Sequence, residues 1–283
     1  MAVTRRGYIF GAFFLSVASI LLIILAVATD SWVTASMTRD SDAEASQVRY
    51  GLFGGVLTLN ILASDEYTLY MTCVQDVGAC AVSCKTEPLA RELEVRALAN
   101  RHKPNEACVA VTSVNESELL DEPAVISFAM YIATLAVIFL WLVCSIVAAV
   151  LALVNAFTNP TEEVYGLPGC LWTNVTSSVV GLTALLMFGI YWAVSGLKDH
   201  LALTHIALKL FDASPGLGIS YWIMIAALLC SLCNVALLRL RTYLLERDPP
   251  PTNHQSGKPF RWHYLFVLKN QSYGLSNRVR IRT

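Results

Sequence analysis

Charge is scarce in this chain. Asp, Glu, Lys and Arg make up 14% of it, against about 25% in soluble globular domains. Hydrophobic residues make up 55%. The length alone would suit one or two soluble domains, but this composition does not. Catalytic signatures are missing as well. No Walker loop, H-E-x-x-H, G-x-S-x-G or dinucleotide fingerprint occurs, so neither an enzyme nor a cofactor is expected. No nucleic-acid partner is expected, and the net charge of −1 hides a strong segregation of charge along the chain.

Long hydrophobic runs are what the chain has in place of charge. Gly7–Ala28, Ala124–Val154, Leu171–Val194 and Leu217–Leu238 are each long enough to cross a hydrocarbon core of about 30 Å as a helix, which takes roughly 20 apolar residues. A cleaved signal peptide is the alternative for the first run, since Ala26-Val27-Ala28 resembles a cleavage site. The run is too long for an h-region of about 7–15 residues. The second run, at about 46 Å, must tilt or protrude. Almost no ionisable residue lies inside the runs, whereas ion and proton pathways depend on buried charge. Asn174 and Asn234 suit interhelical hydrogen bonds.

Basic residues near the spans set the orientation, because Lys and Arg favour the cytoplasm. Arg5 and Arg6 precede the first span, and nine bases follow the fourth, opposed by Glu246 and Asp248. The Asp30–Pro123 loop carries 7 bases against 15 acids. A multi-pass protein with both termini in the cytoplasm and an acidic outer loop is therefore expected. The expected fold is an all-α membrane protein, a four-helix transmembrane bundle with a small extracellular β-sheet and a short helix from the first loop. Its segments are a cytoplasmic N-terminus (1–6), spans at 7–28, 124–154, 171–194 and 217–238, an extracellular loop domain (29–123), a cytoplasmic loop (155–170), a second outer loop (195–216) and a basic cytoplasmic tail (239–283).

Within the first outer loop, Trp32 suits the headgroup layer as an interfacial residue. Val48–Leu59, with glycines suggesting a bulge or turn, and Glu66–Cys73 are β-prone. Thr86–Leu98 is a helix, with Thr86 as N-cap, Pro88 in the first turn and Leu89, Leu93 and Ala97 aligned on one face. Ser195–Ala213 keeps a helical pattern until Ser214-Pro215-Gly216 breaks it. The tail's bases suit either contact with anionic inner-leaflet lipid or simple enforcement of topology.

Cys73, Cys80, Cys84 and Cys108 share the outer loop, where oxidation is permitted. They are disulfide candidates with three fully paired connectivities open. A zinc site would need more than the single His102 of that loop. Cys144, Cys170, Cys230 and Cys233 suit small apolar filling, and Cys170 is also a palmitoylation candidate near the cytoplasmic face. Asn115-Glu-Ser117 is the one glycosylation sequon placed outside; Asn174 lies in a span and Asn270 in the tail. His200 and His205, five residues apart, share no helical face well and are expected in solvent. Gly7 and Gly11 form a small-xxx-small pair for close helix packing.

Two landmarks carry a resemblance. Trp32 followed by Tyr50-Gly51-Leu52-Phe53 looks like the Trp…Gly-Leu-Trp signature of the claudin and peripheral-myelin-protein superfamily. Asn155-Ala-Phe-Thr-Asn-Pro160-Thr-Glu162-Glu-Val-Tyr-Gly166-Leu-Pro168-Gly169 resembles the cytoplasmic loop of clarins, small four-span proteins of sensory hair cells that also carry Tyr-Gly-Leu-Phe in the first loop. The likeness covers about Tyr8 to Leu240. The chain departs from the family in a longer outer loop, in a sequon that follows Tyr50–Phe53, and in a first loop cysteine twenty residues after Phe53. That last departure argues against carrying the claudin disulfide onto Cys73–Cys80. The resemblance implies a non-enzymatic plasma-membrane organiser, linking membrane assemblies and partner proteins to the actin cytoskeleton. An auxiliary channel subunit and a claudin-like cell–cell barrier protein are the alternatives within the superfamily.

Overall fold

The computed structural model describes residues 2–38, 46–60, 64–104, 108, 119–157, 166–209 and 211–247. The chain divides into a unit of Met1–Leu244 and a second of Leu245–Thr283. Of the second unit the described part is the end of a helix, residues 245–247.

Four long helices carry the hydrophobic runs: α1 (Ala2–Ala28), α3 (Phe128–Phe157), α4 (Leu167–Val194) and α7 (Ile219–Arg247). Their apolar stretches have mean hydropathies of 2.7, 3.0, 1.8 and 2.2, and in each only 33% of the most apolar window is buried. The remaining apolar faces need an apolar solvent, and a helix is the one way a lone segment satisfies its backbone there. This is a multi-pass membrane protein. α3 begins at Phe128 rather than Ala124, because Ile126 and Ser127 pair with a strand.

Small and polar residues join the helices, as expected where solvent gives no hydrophobic drive to association. Between α1 and α7, Ser19 Oγ donates to the Ala227 carbonyl (3.1 Å) and meets Ser231 Oγ (3.1 Å), and Asn234 Nδ2 donates to Ser16 Oγ (2.7 Å). Ser145 and Ser177 hydroxyls meet at 2.9 Å between α3 and α4. The Trp141 indole lies on Gly181, where a Cβ would come within 2.5 Å of the ring. Asn234 therefore bonds between helices as expected. Asn174 does not: its amide donates to the Cys170 carbonyl of its own helix. Cys170 is fully buried, in a cluster with Ala12, Ala152 and Leu238. Its enclosure argues against palmitoylation there.

The sheet is larger than the sequence suggested. Seven antiparallel strands run in the order β6-β5-β4-β3-β2-β1-β7. They are β1 (Val33–Thr38), β2 (Ser46–Tyr50), β3 (Gly54–Asn60), β4 (Ser64–Val74), β5 (Ala79–Ser83), β6 (Ile126–Ser127) and β7 (Asp212–Leu217). β2, β3 and β4 fall where β-prone residues were read. Each edge strand leads into a long helix, β6 into α3 and β7 into α7, so the sheet is fastened to the bundle at both edges. β7 contains Ser214-Pro215-Gly216, read above as a helix breaker. An edge strand tolerates Pro because one side of its backbone needs no ladder bond.

Two local readings are corrected. Helix α2 (Pro88–Ala99) has Glu87 as its N-cap, with no side-chain cap, and Pro88 in the first turn. It buries Glu94, Val95 and Leu98 and leaves Leu89 and Leu93 63% and 59% exposed. The buried face is set by Glu94, whose carboxylate accepts hydrogen bonds from the hydroxyls of Ser83 and Thr204. The Ser195–Ala213 segment is not one helix either. It forms two single turns, α5 (Leu197–His200) and α6 (Thr204–Ala207), and then enters β7. Gly196, Leu201 and Ala202, all with positive φ, interrupt the helix.

Candidate functional site

Trp32, Tyr50, Gly51 and Leu52, part of the residues that carry the resemblance, meet at the junction between sheet and bundle. Four residues past the end of α1, Trp32 turns back beneath the sheet and is 2% exposed. Its indole N–H donates to the Ala26 carbonyl (2.8 Å) and its ring packs edge-on against Phe188 of α4 (5.0 Å) and Tyr221 of α7 (6.5 Å). The headgroup-layer reading of Trp32 is thereby overturned: once its N–H has a partner within the protein, the whole ring can be buried.

Tyr50, at the end of β2, accepts the Trp32 backbone N–H at its carbonyl (2.9 Å) and donates its phenol to the Leu201 carbonyl (3.0 Å). Burial raises the Tyr50 phenol well above its ordinary value, with the neighbouring Tyr191 adding to the effect. Gly51 begins the turn to β3, its N–H donating to the Gly54 carbonyl (2.7 Å). Any side chain on it would meet the Thr29 carbonyl at 2.7 Å. Leu52 is buried, and its carbonyl accepts from Tyr131 of α3 (2.8 Å). Phe53 points away and is 58% exposed.

Trp32, Tyr50, Gly51 and Leu52 line one apolar pocket of about 40 Å³ together with Tyr131, Phe188 and Tyr191. That volume has room for a few water molecules. Its hydroxyls are already engaged: Tyr50 and Tyr131 as above, and Tyr191 as acceptor of the Ser127 N–H (2.9 Å). The pocket offers neither a nucleophile nor a charged group. The arrangement clamps a sheet to four helices. Among the described residues, no cluster of His, Cys, Asp and Glu could hold a metal ion.

The remaining candidates are scattered. Cys73 pairs with Cys80 across β4 and β5, where the two face each other in register, and Cys84 pairs with Cys108. The Cys73–Cys80 link forms despite the spacing that argued against it, because β5 returns immediately alongside β4. Asn155, at the far end of α3, is 7% exposed and donates to the Leu151 carbonyl. Gly166 caps α4, Pro168 sits in its first turn, and the Gly169 carbonyl accepts from Thr173. The Asn155–Gly169 segment thus contributes a helix end on either side. Asn115, Pro160 and Glu162 lie outside the described residues.

His200 and His205 are buried rather than solvated, 9% and 2% exposed. Sequence reasoning also missed Tyr131, Tyr191 and Tyr221, for tyrosines at the ends of spans read equally well as an interfacial belt. No protein-family model matches the chain, and no curated protein matches it.

Proposed function

We propose that this protein is a clarin-like, non-enzymatic organiser of the plasma membrane. In this reading it lies in the lipid bilayer with both termini in the cytoplasm. The sheet, with a glycan on Asn115, faces outward and engages membrane proteins. The basic tail meets cytoskeletal proteins and anionic inner-leaflet lipid. The observation that supports this best is the junction itself. Trp32 and Tyr50–Leu52, which carry the first-loop part of the resemblance, fasten a seven-stranded platform to the bundle at a place without reactive groups. A rigid platform on a membrane anchor suits partner binding, where pre-organisation reduces the ordering cost.

Proximity labelling from the tail and from the outer loop, in cells that express the protein naturally, tests the reading. Actin-associated proteins near the tail and membrane proteins near the loop are expected. A channel as the dominant partner would instead make it an auxiliary subunit. Charge-selective permeability across a cell layer that responds to changes in the loop's acids would make it a barrier protein. Reconstitution into liposomes supplies the sharpest refutation: ion flux abolished by substituting Asn174 or Asn234 would make the protein itself a channel. Cysteine accessibility checks the orientation, with Ser46 expected outside and Ser256 inside.

A further inference from the structure

Between α4 and β7 the chain packs into the sheet. Leu197, Leu201, Ala202, Leu203 and Ile206 are all buried in the core of the sheet. At the centre of this segment Leu201 and Ala202 hold φ values of 51° and 48°, a left-handed conformation that side chains with a Cβ adopt only when the surroundings enforce it. Three hydrogen bonds enforce it here. The Tyr50 phenol donates to the Leu201 carbonyl (3.0 Å), the Val82 N–H donates to the Ala202 carbonyl (2.9 Å), and His200 Nδ1 accepts the Ala202 N–H (2.8 Å).

The third bond is conditional on protonation state. Nδ1 accepts only while it carries a lone pair, and a proton there removes the acceptor. Five residues on, His205 is buried beside the Phe211 ring (6.3 Å), and neither of its ring nitrogens has a hydrogen-bond partner. An imidazolium at that place would be an unpaired buried charge.

We propose that His200 and His205 form a proton-operated latch, so that acidifying the solution around the sheet releases the Leu201–Leu203 segment from β2 and β5. The charged and titratable groups around the segment leave this role to the histidines. Asp199 beside His200 favours the imidazolium, but burial outweighs it. Glu94 of α2 is engaged by two hydroxyls, Tyr50 of β2 stays a neutral phenol, and Asp212 of β7 is exposed. Lys209 is paired with Asp121.

Burial lowers both histidines to about 4. The closed latch therefore takes up protons only near pH 4, and the released segment takes them up near the ordinary 6.5. Closure is fully favoured above about pH 6.5 and weakens as pH falls toward 4. Between about pH 7.4 and about pH 5 the opening equilibrium rises about 25-fold per histidine, and about 700-fold for both. Only the setting of the latch outside the cell rests on the orientation proposed above; its measurement does not.

Hydrogen exchange of the full-length protein in phosphatidylcholine nanodiscs tests the latch, read at the Val82, Ala202 and Leu203 amides and corrected for the chemical pH dependence of exchange. Wild type should show the full rise in opening. H200N, which keeps an acceptor oxygen near the Nδ1 position, and H205F should each show about 25-fold, and the double variant no acid-driven rise. A wild type without the rise overturns the latch, as does a response that persists in the double variant and disappears in E94Q. Should the double variant fail to fold, imidazole NMR titration of wild type decides: both histidines titrating well below 6.5 support the latch, and ordinary values overturn it.

Discussion

Trp32 lies just beyond the bilayer-spanning part of α1, where a membrane protein ordinarily places an interfacial tryptophan. Here the ring is enclosed by Phe188 and Tyr221, and its N–H is spent on Ala26. Replacing it with alanine should cost about 3–5 kcal/mol, the usual penalty for emptying a large aromatic site. A belt residue would cost less than about 0.5 kcal/mol. Denaturant unfolding in detergent, followed by near-ultraviolet circular dichroism, separates the two. His200 and His205 govern acid stability by the same logic of burial. Their folded values near 4 lie below the unfolded 6.5, so their stabilising effect is complete above about 6.5 and declines as pH falls to about 4. The loss is on the order of 3 kcal/mol for each. Asp76, held low first by its hydrogen bond from Arg96, acts in a window beneath its ordinary 3.8 and does not overlap. Melting temperatures measured between about pH 7 and about pH 4.5 should fall steadily, and H200N/H205F should flatten the decline.

Helix α2 shows how a single face is chosen. Its aligned leucines, Leu89 and Leu93, look like the obvious apolar stripe, yet the helix turns them outward and buries Val95 and Leu98 around the hydrogen-bonded Glu94. Leu98→Ala should therefore cost about 2–5 kcal/mol, while Leu89→Lys and Leu93→Lys should change stability by less than about 0.5 kcal/mol. The reverse ranking in thermal unfolding would mean the helix sits on its other side. Disulfides act at this scale too. Cys73–Cys80 closes a loop with a sequence separation of 7 and Cys84–Cys108 one with a separation of 24. Chain entropy assigns them about 2.5 and about 3.5 kcal/mol. Unfolding of the C73S/C80S and C84S/C108S pairs should show the longer loop costing more, by roughly 1 kcal/mol.

At the scale of the whole molecule, sheet and bundle are one construction: β6 runs into α3, β7 runs into α7, and Trp32 links α1 to the strands. Among the glycines of the four long helices, Gly181 has the tightest neighbour, the Trp141 ring. Gly181→Val would drive a side chain into the ring, so it should destabilise by about 1–3 kcal/mol and loosen α3 from α4. Cross-linking of cysteine pairs placed across that interface, together with unfolding in detergent, would report both effects. Unchanged cross-linking and stability would remove this contact from the account of the bundle.

Four spanning helices were legible in the sequence because hydropathy is a local sum, and the bilayer imposes the same demand on every such segment. The β-prone stretches around Val48–Leu59 and Glu66–Cys73 were legible for a similar reason, since alternation and branched side chains act within a few residues. Asn234 was read correctly as an interhelical hydrogen bonder. What the tertiary structure alone decided is every question of which face and which partner. β1, β5, β6 and β7 exist because neighbouring strands complete their hydrogen bonds. Leu89 and Leu93 lost the interior to a carboxylate because Ser83 and Thr204, distant in sequence, supply its donors. His200 and His205 lie in the core because a loop that looked helical is held in a left-handed turn by Tyr50 and Val82. Trp32, which reads as a surface anchor, is buried because Ala26, Phe188 and Tyr221 meet around it. Local propensity carries no information about such partners, since their energy depends on distances that only the folded chain brings within reach.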